Sequence, residues 1–271
     1  MNYNPCIRLG RTTPFIKGEN NKFKFKILIF IFLFSWVCIS PVWANNLPDA
    51  DKDGVPDQDE INIYHTDPNK LDTDGDGFGD GLELKNGFSP YVAGKIKLED
   101  SDADKDGLSD RDELNFHTNP VNPDTDGDGH SDGEEIKTGY DPLNSEPVLL
   151  KKKIEVNTKV QKLSYFLGDV KRGEFTVSTG KASMPTPKGT FTVDLKDKKA
   201  WSPKYGLWMP YWMSLFHGKF GIHELPEWPN GYKEGEKHLG TAVSHGCVRL
   251  GVGSAKFMYD WTPVGTTVLI Y

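Results

Sequence analysis

The sequence lacks an apolar run long enough to span a bilayer comfortably. Its longest run, residues 27–39, is shorter than the ~20 residues that a membrane helix needs, and it follows a lysine-rich segment. A basic segment, a short apolar stretch and a small residue at Ala44 are typical of a cleaved secretion signal. We predict that residues 1–44 are a signal peptide and that the protein is exported, to the periplasm or to the cell wall or surface. The alternative is an uncleaved signal that anchors the chain in the membrane.

Cysteine is also scarce, with three residues in the chain: Cys6, Cys38 and Cys247. Removal of the signal would leave Cys247 alone, which excludes a disulfide framework. A free thiol in an oxidising compartment is a liability unless it is buried or takes part in chemistry. Cys247 is therefore a candidate nucleophile.

Positive charge is sparse in the middle of the chain. Residues 45–150 carry 8 basic and 28 acidic side chains, a net charge of −20, whereas residues 151–271 carry 18 basic and 10 acidic, a net charge of +8. A block of like charge resists compaction unless cations neutralise it. It also repels phosphate, so we expect no nucleic-acid partner.

The acidic block contains four copies of Asp-x-Asp-x-Asp-Gly-x-x-Asp-x-x-Glu, here called the acidic loops. The pattern places carboxylates at positions 1, 3, 5, 9 and 12 and glycine at position 6, which is typical of a calcium loop. Glycine permits the sharp turn that lets the oxygens converge on one ion. We predict structural Ca²⁺ in the repeats and no cofactor for catalysis. The predicted metal ligands are Asp49, Asp51, Asp53, Asp57, Glu60, Asp72, Asp74, Asp76, Asp80, Glu83, Asp102, Asp104, Asp106, Asp110, Glu113, Asp124, Asp126, Asp128, Asp132 and Glu135.

The sequence around these loops does not show the entering helix of an EF-hand, and a turn ending in proline follows each loop. Residues 47–145 resemble the thrombospondin type 3 repeat of bacterial surface proteins, and a dockerin-like pair of loops is the alternative. The resemblance implies a calcium-ordered spacer. We predict an irregular repeat region at residues 45–148 that is largely unfolded without metal. A disordered acidic linker would be the simplest other explanation, but four matching copies argue against it.

Alternating apolar residues dominate residues 149–271. The alternation predicts strands around residues 154–156, 163–167, 175–177, 191–195 and 268–270. One helix is predicted, capped by Ser254 and ending near Trp261. The sequence therefore indicates a small, mostly β domain.

A thiol, an imidazole and a glycine are neighbours in residues 244–249, which read Ser-His-Gly-Cys-Val-Arg. A base can take the thiol proton, the thiolate can attack a carbonyl, and backbone N–H groups can hold the oxyanion. His223 is the candidate base. The alternative is a buried structural cysteine with a packed histidine.

This domain resembles the L,D-transpeptidase catalytic domain in four ordered segments. They are residues 154–157 with 161–166, residues 177–180 with 186–193, residues 209–212, and residues 222–223 with 244–249. The resemblance implies a β-sandwich or barrel with one or two short helices. It also implies a cysteine acyltransferase that acts on peptidoglycan stem peptides.

The resemblance assigns the nucleophile to Cys247 and the base to His223, oriented by the main-chain carbonyl of the next residue. Cys247 would attack the carbonyl of the third stem residue, release D-alanine, and pass the acyl group to an amine in a 3→3 cross-link. An amine of a wall-linked protein is another acceptor. The resemblance also implies that the backbone N–H groups around His245, Gly246 and Cys247 form the oxyanion hole. Ser244 and His245 would shape the loop, and Arg249 would order the site or bind a substrate carboxylate.

Two other functions stay open at this point. One is an L,D-carboxypeptidase or other hydrolase of the same fold, because acceptor choice depends on groove shape and water exclusion. The other is a calcium-dependent wall-binding protein with an inert domain. Residues 224–232 are an aromatic, proline-rich insert relative to the family, and they could form a lid or acceptor-side wall or a longer surface loop. His217 and His238 are expected to be ordinary packed or surface histidines.

Overall fold

The structure is a computed structural model, and it describes residues 47–271. The predicted signal peptide, with Cys6 and Cys38, lies outside the described residues. Across residues 47–271, no helix combines the length and the apolar character that crossing a membrane requires. The described chain consists of an array of the four acidic loops followed by a β-barrel.

Each acidic loop leads directly into a short helix. Helix α1 (Asp57–Asp59) continues as a π-helical turn (Glu60–Tyr64), and α2 (Asp80–Asn86), α3 (Asp110–Phe116) and α4 (Asp132–Thr138) follow the other loops. Acidic residues fill the first turn of each helix, where they interact favourably with its dipole. The sequence analysis predicted an irregular region here and no helices. Helices of this length are too short to show a periodic apolar pattern in the sequence.

The loops pack in two pairs. The N–H groups of Gly81 and Gly133 donate to the carboxylates of Asp53 and Asp106 in the preceding loop, at 2.7 and 2.5 Å. A Cβ atom at Gly81 would lie 2.5 Å from the Asp53 carbonyl oxygen, and one at Gly133 would lie 2.6 Å from that of Asp106. Only glycine permits this close approach, so the pairing of loops depends on both positions.

A short hairpin closes each pair of loops in the same way. In the first pair the N–H of Leu98 donates to the Gly87 carbonyl at 3.1 Å, and in the second the N–H of Leu150 donates to the Gly139 carbonyl at 2.9 Å. Leu98 then accepts a hydrogen bond from the N–H of Arg111 at 3.0 Å, at the start of the second pair. The first pair is therefore joined to the second through a packed connection.

Eight strands form a closed barrel with the order β1-β2-β3-β7-β6-β5-β4-β8. Neighbouring strands are antiparallel except for the β1–β8 and β6–β7 pairs, which are parallel. The strands are β1 (Lys152–Asn157), β2 (Lys162–Leu167), β3 (Val170–Ser178), β4 (Gly189–Ser202), β5 (Leu207–Leu215), β6 (Phe220–Glu224), β7 (Val248–Leu250) and β8 (Thr267–Ile270). The predicted mostly β domain is confirmed.

The barrel core contains the alternating residues seen in the sequence, including Ile154, Val156 and Leu163, all fully buried. Helix α5 (Ser254–Trp261) adds Ala255 and Met258 to this core. Gly253, with φ +82°, occupies the cap position, and no side chain caps the helix. Ser254 is therefore the first helical residue, and its prediction as the cap was wrong by one position.

The β4–β5 hairpin extends past the barrel as an arm. Only residues 189–192 of β4 pair with β8, whereas its outer half pairs with β5 as far as Ser202 and Leu207. Trp201 and Trp208 pack together on this outer half, with ring centroids 4.8 Å apart. The arm places the residues of its turn beside the site described below.

The array packs on the barrel through a small apolar cluster, here called the junction. Leu108, Phe116 and Ile136 of the array are buried with Leu167, at the end of β2. The guanidinium of Arg172 on β3 lies 2.9 Å from the carboxylate of Asp112 on α3. Since Leu108 occupies position 7 of the third loop, this loop is in direct contact with the barrel.

Candidate active site

Cys247 ends a tight turn that immediately precedes β7. The Ser244 hydroxyl donates to the carbonyl oxygen of Cys247 at 2.5 Å and accepts the N–H of Gly246 at 3.1 Å. Gly246 has φ +116°, a conformation that favours glycine. Ser244 and Gly246 therefore shape the turn. The Gly246 N–H is engaged within it, so the N–H groups of His245 and Cys247 are the better candidates for an oxyanion hole.

A segment after β3 anchors the start of this turn. The N–H of Ser244 donates to the Thr179 carbonyl at 2.9 Å, and the N–H of Lys181 donates to the Ser244 carbonyl at 3.0 Å. A Cβ atom on Gly180 would lie 2.2 Å from the Met184 carbonyl oxygen. Gly180 itself pairs with Ser244 through an isolated parallel bridge, so residues 177–180 hold the start of the cysteine turn.

His223 projects from β6, the strand next to β7. It is 3% exposed, and its Nδ1 lies 2.5 Å from the carbonyl oxygen of Glu224, the contact expected to orient it. This contact leaves Nε2 to accept a proton. Burial, and then the positive charge of Arg249, lower the pKa of His223 to about 3. The imidazole is therefore neutral at physiological pH.

The Cys247 thiol is partly buried, and burial raises its pKa above the ordinary value. A backbone hydrogen bond at Gly221 and the charge of Arg249 act in the opposite direction. With His223 neutral and the thiol protonated, the resting site holds an uncharged pair. The proton must therefore move during the reaction.

These groups line one cavity of about 290 Å³. His223, His245, Cys247 and Arg249 lie on its wall together with Trp212 of β5 and Pro226 of the insert. Tyr205, at the turn of the β4–β5 arm, stacks on His245 with ring centroids 4.6 Å apart and an interplanar angle of 12°. The arm and the insert thus form two sides of the cavity.

The structure brings all six predicted catalytic residues together. His223, His245, Cys247 and Arg249 line the cavity, while Ser244 and Gly246 form the turn beneath it. The side chain of His217 is 86% exposed on the β5–β6 turn.

The insert is part of the cavity wall. It pairs with the arm through a bridge between Trp208 and Glu227, and it contributes Pro226 to the lining. Of the two interpretations of the insert, the structure therefore favours a wall. Sequence reasoning missed three residues of the site: Gly221, Tyr205 and Glu234. For Gly221, the available signal was a glycine in the apolar run that ends at His223.

Substitution of Gly221 by alanine is expected to destabilise the protein by about 2 kcal/mol and to impair the site, because overpacking forces the backbone apart. The added Cβ would lie 2.3 Å from the Met213 carbonyl oxygen and 2.8 Å from the Trp212 ring. Thermal unfolding and the alkylation rate of Cys247 measure the two effects. The control is Gly235→Ala, where the nearest atom is a Lys237 side-chain carbon at 3.9 Å. Equal stability of the two variants would contradict the prediction.

The acidic loops form four further candidate sites. In each loop the carboxylates of positions 1, 3 and 5 bring ligand atoms within 4.8 Å of one another. Positions 3 and 12 of every loop also contain buried carboxylate oxygens that no donor among the described residues satisfies. These residues are Asp51, Glu60, Asp74, Glu83, Asp104, Glu113, Asp126 and Glu135. A buried carboxylate oxygen is costly without a partner, so this donor set fits a hard cation.

The carboxylates at position 12 have raised pKa values. Burial and then neighbouring carboxylates raise the pKa of Glu83 to about 8 and that of Glu113 to about 9. The loops therefore accommodate their negative charge poorly by themselves.

The position-9 aspartates also accept hydrogen bonds from the surrounding loop region. Asp80 and Asp132 accept hydrogen bonds from both the N–H and the hydroxyl of a threonine at loop position 2. Asp110 accepts from the Ala103 N–H and the Ser89 hydroxyl, and Asp57 accepts from the Ala50 N–H. Asp57, Asp80, Asp110 and Asp132 therefore hold the loop backbone, and their role as metal ligands stays a prediction. Asp80 also approaches Asp53 and Glu60 of the first loop.

Comparison with known families agrees with this division of the chain. Residues 151–270 match the YkuD family, the L,D-transpeptidase catalytic domain. Four segments, residues 49–71, 72–87, 102–123 and 124–145, match the bacterial TSP3 repeat. The resemblance inferred from the sequence motifs is confirmed for both regions.

Two Bacillus subtilis (strain 168) proteins, both candidate L,D-transpeptidases, are similar to the chain. YciB is 36% identical over 130 residues, which cover 43% of this chain and 64% of YciB. YqjB is 27% identical over 128 residues, which cover 42% of this chain and 68% of YqjB. The chain thus spans less than two thirds of the length of YciB. An L,D-transpeptidase structure from Mycobacterium smegmatis aligns with 46% of this chain and 60% of its own, with a TM-score of 0.39 and 21% identity.

Proposed function

Because residues 151–270 form an L,D-transpeptidase catalytic domain that follows bacterial TSP3 repeats, we propose that the protein is a peptidoglycan L,D-transpeptidase with Cys247 as nucleophile. The observation that carries the proposal is the arrangement of His223, Cys247 and Arg249 on one cavity. A neutral imidazole held by a backbone carbonyl is ready to accept the thiol proton.

The reaction has two steps. Nε2 of His223 takes the thiol proton as Sγ of Cys247 attacks the carbonyl carbon of the third stem residue. Backbone N–H groups of the cysteine turn stabilise the oxyanion. The C–N bond to D-alanine then breaks, and the imidazolium gives its proton to the leaving amine. In the second step an amine attacks the thioester, loses a proton to His223 and releases the thiol, which completes a 3→3 cross-link.

The acceptor is tested by incubating the purified protein, in calcium, with a disaccharide-tetrapeptide and identifying the products by mass spectrometry. We expect a tetrapeptide–tripeptide dimer that is absent with Cys247→Ala. Tripeptide alone would show that water is the acceptor and that the enzyme is an L,D-carboxypeptidase. Absence of any Cys247-dependent product from several stem peptides would contradict the proposed activity.

For the array we propose structural Ca²⁺ sites, one per acidic loop. The carboxylates at positions 1, 3, 5 and 12 would hold the ion together with the carbonyl at position 7. Bound Ca²⁺ would neutralise charge that otherwise opposes folding. The buried unsatisfied oxygens at positions 3 and 12 support this assignment.

We further propose that the protein is exported after cleavage near Ala44. The array, residues 45–148, would then act as a spacer for the catalytic domain, residues 149–271. A basic segment followed by a short apolar run supports export.

A further inference from the structure

Glu234 contacts Arg249 of the candidate active site, and it lies two residues after the insert, residues 224–232. Its two carboxylate oxygens each lie 2.8 Å from Nη1 of Arg249. The Arg249 and Glu234 side chains are 9% and 10% exposed. Shielding from water strengthens the attraction between the two charges relative to a surface pair. The segment that follows the insert therefore provides a buried counter-ion to a predicted catalytic residue.

The backbone of the insert holds Glu234 in place. The N–H of Glu234 donates to the Pro226 carbonyl at 3.0 Å, and Glu227 bridges both Lys233 and Trp208 of β5. Oε1 of Glu234, which also accepts from Arg249, contacts Nδ1 of His238. A small hairpin, which pairs with the β4–β5 arm through Glu227, therefore holds the Glu234 carboxylate in place.

Arg249 connects this carboxylate to the nucleophile. It pairs with His223 in the register of β6 and β7 and lines the same cavity as Cys247. Its charge lowers the pKa of Cys247 and of His223. Arg249 Nε is buried and has no hydrogen-bond partner among residues 47–271. The position of the guanidinium therefore depends strongly on the ion pair through Nη1.

We propose that Glu234 is a positioning residue, which fixes the Arg249 guanidinium beside Cys247 and offsets part of its charge there. The inference rests on the proposed function in taking Cys247 as the nucleophile. It also gives the insert a chemical role in addition to that of a wall. The titratable and charged groups around this pair are His223, His245 and Cys247 on the cavity, Lys204 and Lys219 on its rim, His238 behind Glu234, and Lys181 near His245.

The test is the pH dependence of Cys247 alkylation by iodoacetamide in the full-length protein with calcium. Glu234→Gln keeps an oxygen that can accept from Arg249 but removes the counter-charge. We expect the midpoint of the rate profile to shift to lower pH by about one unit, because the unopposed guanidinium favours the thiolate. Glu236→Gln, an exposed neighbour in the same segment, is the control and should leave the midpoint unchanged.

A double-mutant cycle tests whether the effect passes through Arg249. In an Arg249→Met background, Glu234→Gln should no longer move the midpoint. An unchanged midpoint in folded Glu234→Gln, or a shift that persists without Arg249, would overturn the inference. If Glu234→Gln does not fold, Glu234→Asp replaces it in the test. We then expect the midpoint of the rate profile to shift to lower pH by a smaller amount. Alkylation requires no stem peptide, so this outcome is independent of the acceptor experiment.

Discussion

Replacement of His223 by glutamine is expected to slow acylation of Cys247 by about 10²- to 10⁴-fold, the usual contribution of a positioned general base. Glutamine preserves much of the side-chain volume and polarity at a buried position but cannot take the thiol proton. The rate is measured by following acylation with a β-lactam by intact mass. His217→Gln, on an exposed turn, is the matched control and should retain the wild-type rate.

The pH profile gives this prediction a second readout. Burial and Arg249 lower the pKa of His223 to about 3, so the base stays unprotonated as the pH falls from 8 to about 5. The wild-type rate should therefore be nearly flat over that range. In His223→Gln only pre-formed thiolate reacts, and its fraction rises tenfold per pH unit below the thiol pKa. A wild-type rate that falls steeply below pH 6.5 would contradict the assignment.

Removal of calcium is expected to unfold most of the array. Each loop gathers five carboxylates, and two of them contain buried oxygens without partners. At a free concentration one hundred times its Kd, a bound ion adds about 2.7 kcal/mol per site to the free energy of unfolding. The loss of ions from four sites would therefore strongly destabilise so small a region. We expect EDTA to abolish the helical circular dichroism of the array and Ca²⁺ to restore it. Mg²⁺ should not substitute, because it demands a tighter octahedral site.

Tryptophan fluorescence separates the array from the barrel in this experiment. Residues 47–150 contain no tryptophan, whereas five lie between residues 201 and 261. The paired variants Glu83→Gln and Glu113→Gln should each lose one bound ion. Only Glu113→Gln, in the loop that contacts the barrel, should also lower the Tm reported by tryptophan. Equal effects of the two variants on the barrel, or circular dichroism that does not respond to EDTA, would contradict this account.

Local patterns in the sequence predicted the parts of the molecule that are built locally. The acidic loops, the alternating strands and the cysteine turn are each defined by residues that lie close together in the chain. The ion pair between Glu234 and Arg249 and the stacking of Tyr205 on His245 are different. They depend on the length of the β4–β5 arm and the path of the insert, which no periodic pattern encodes.

The acidic loops show the same limit at a smaller scale. Spacing alone predicted five carboxylate ligands per loop, and it does not reveal which of their oxygens also accept hydrogen bonds from the loop. The structure shows that the position-9 aspartates accept hydrogen bonds from the loop itself. A sequence pattern can therefore combine residues that bind an ion with residues that shape its loop.

The hairpin that closes each pair of loops has a consequence for the reach of the enzyme. The hairpin hydrogen bond made by Leu98 in the first pair recurs at Leu150 in the second, which directly precedes the barrel. Duplication of a whole pair would add one more such hairpin to the array. If the array is the proposed spacer, its length is therefore expected to change by whole pairs of loops, because each pair ends in its own hairpin.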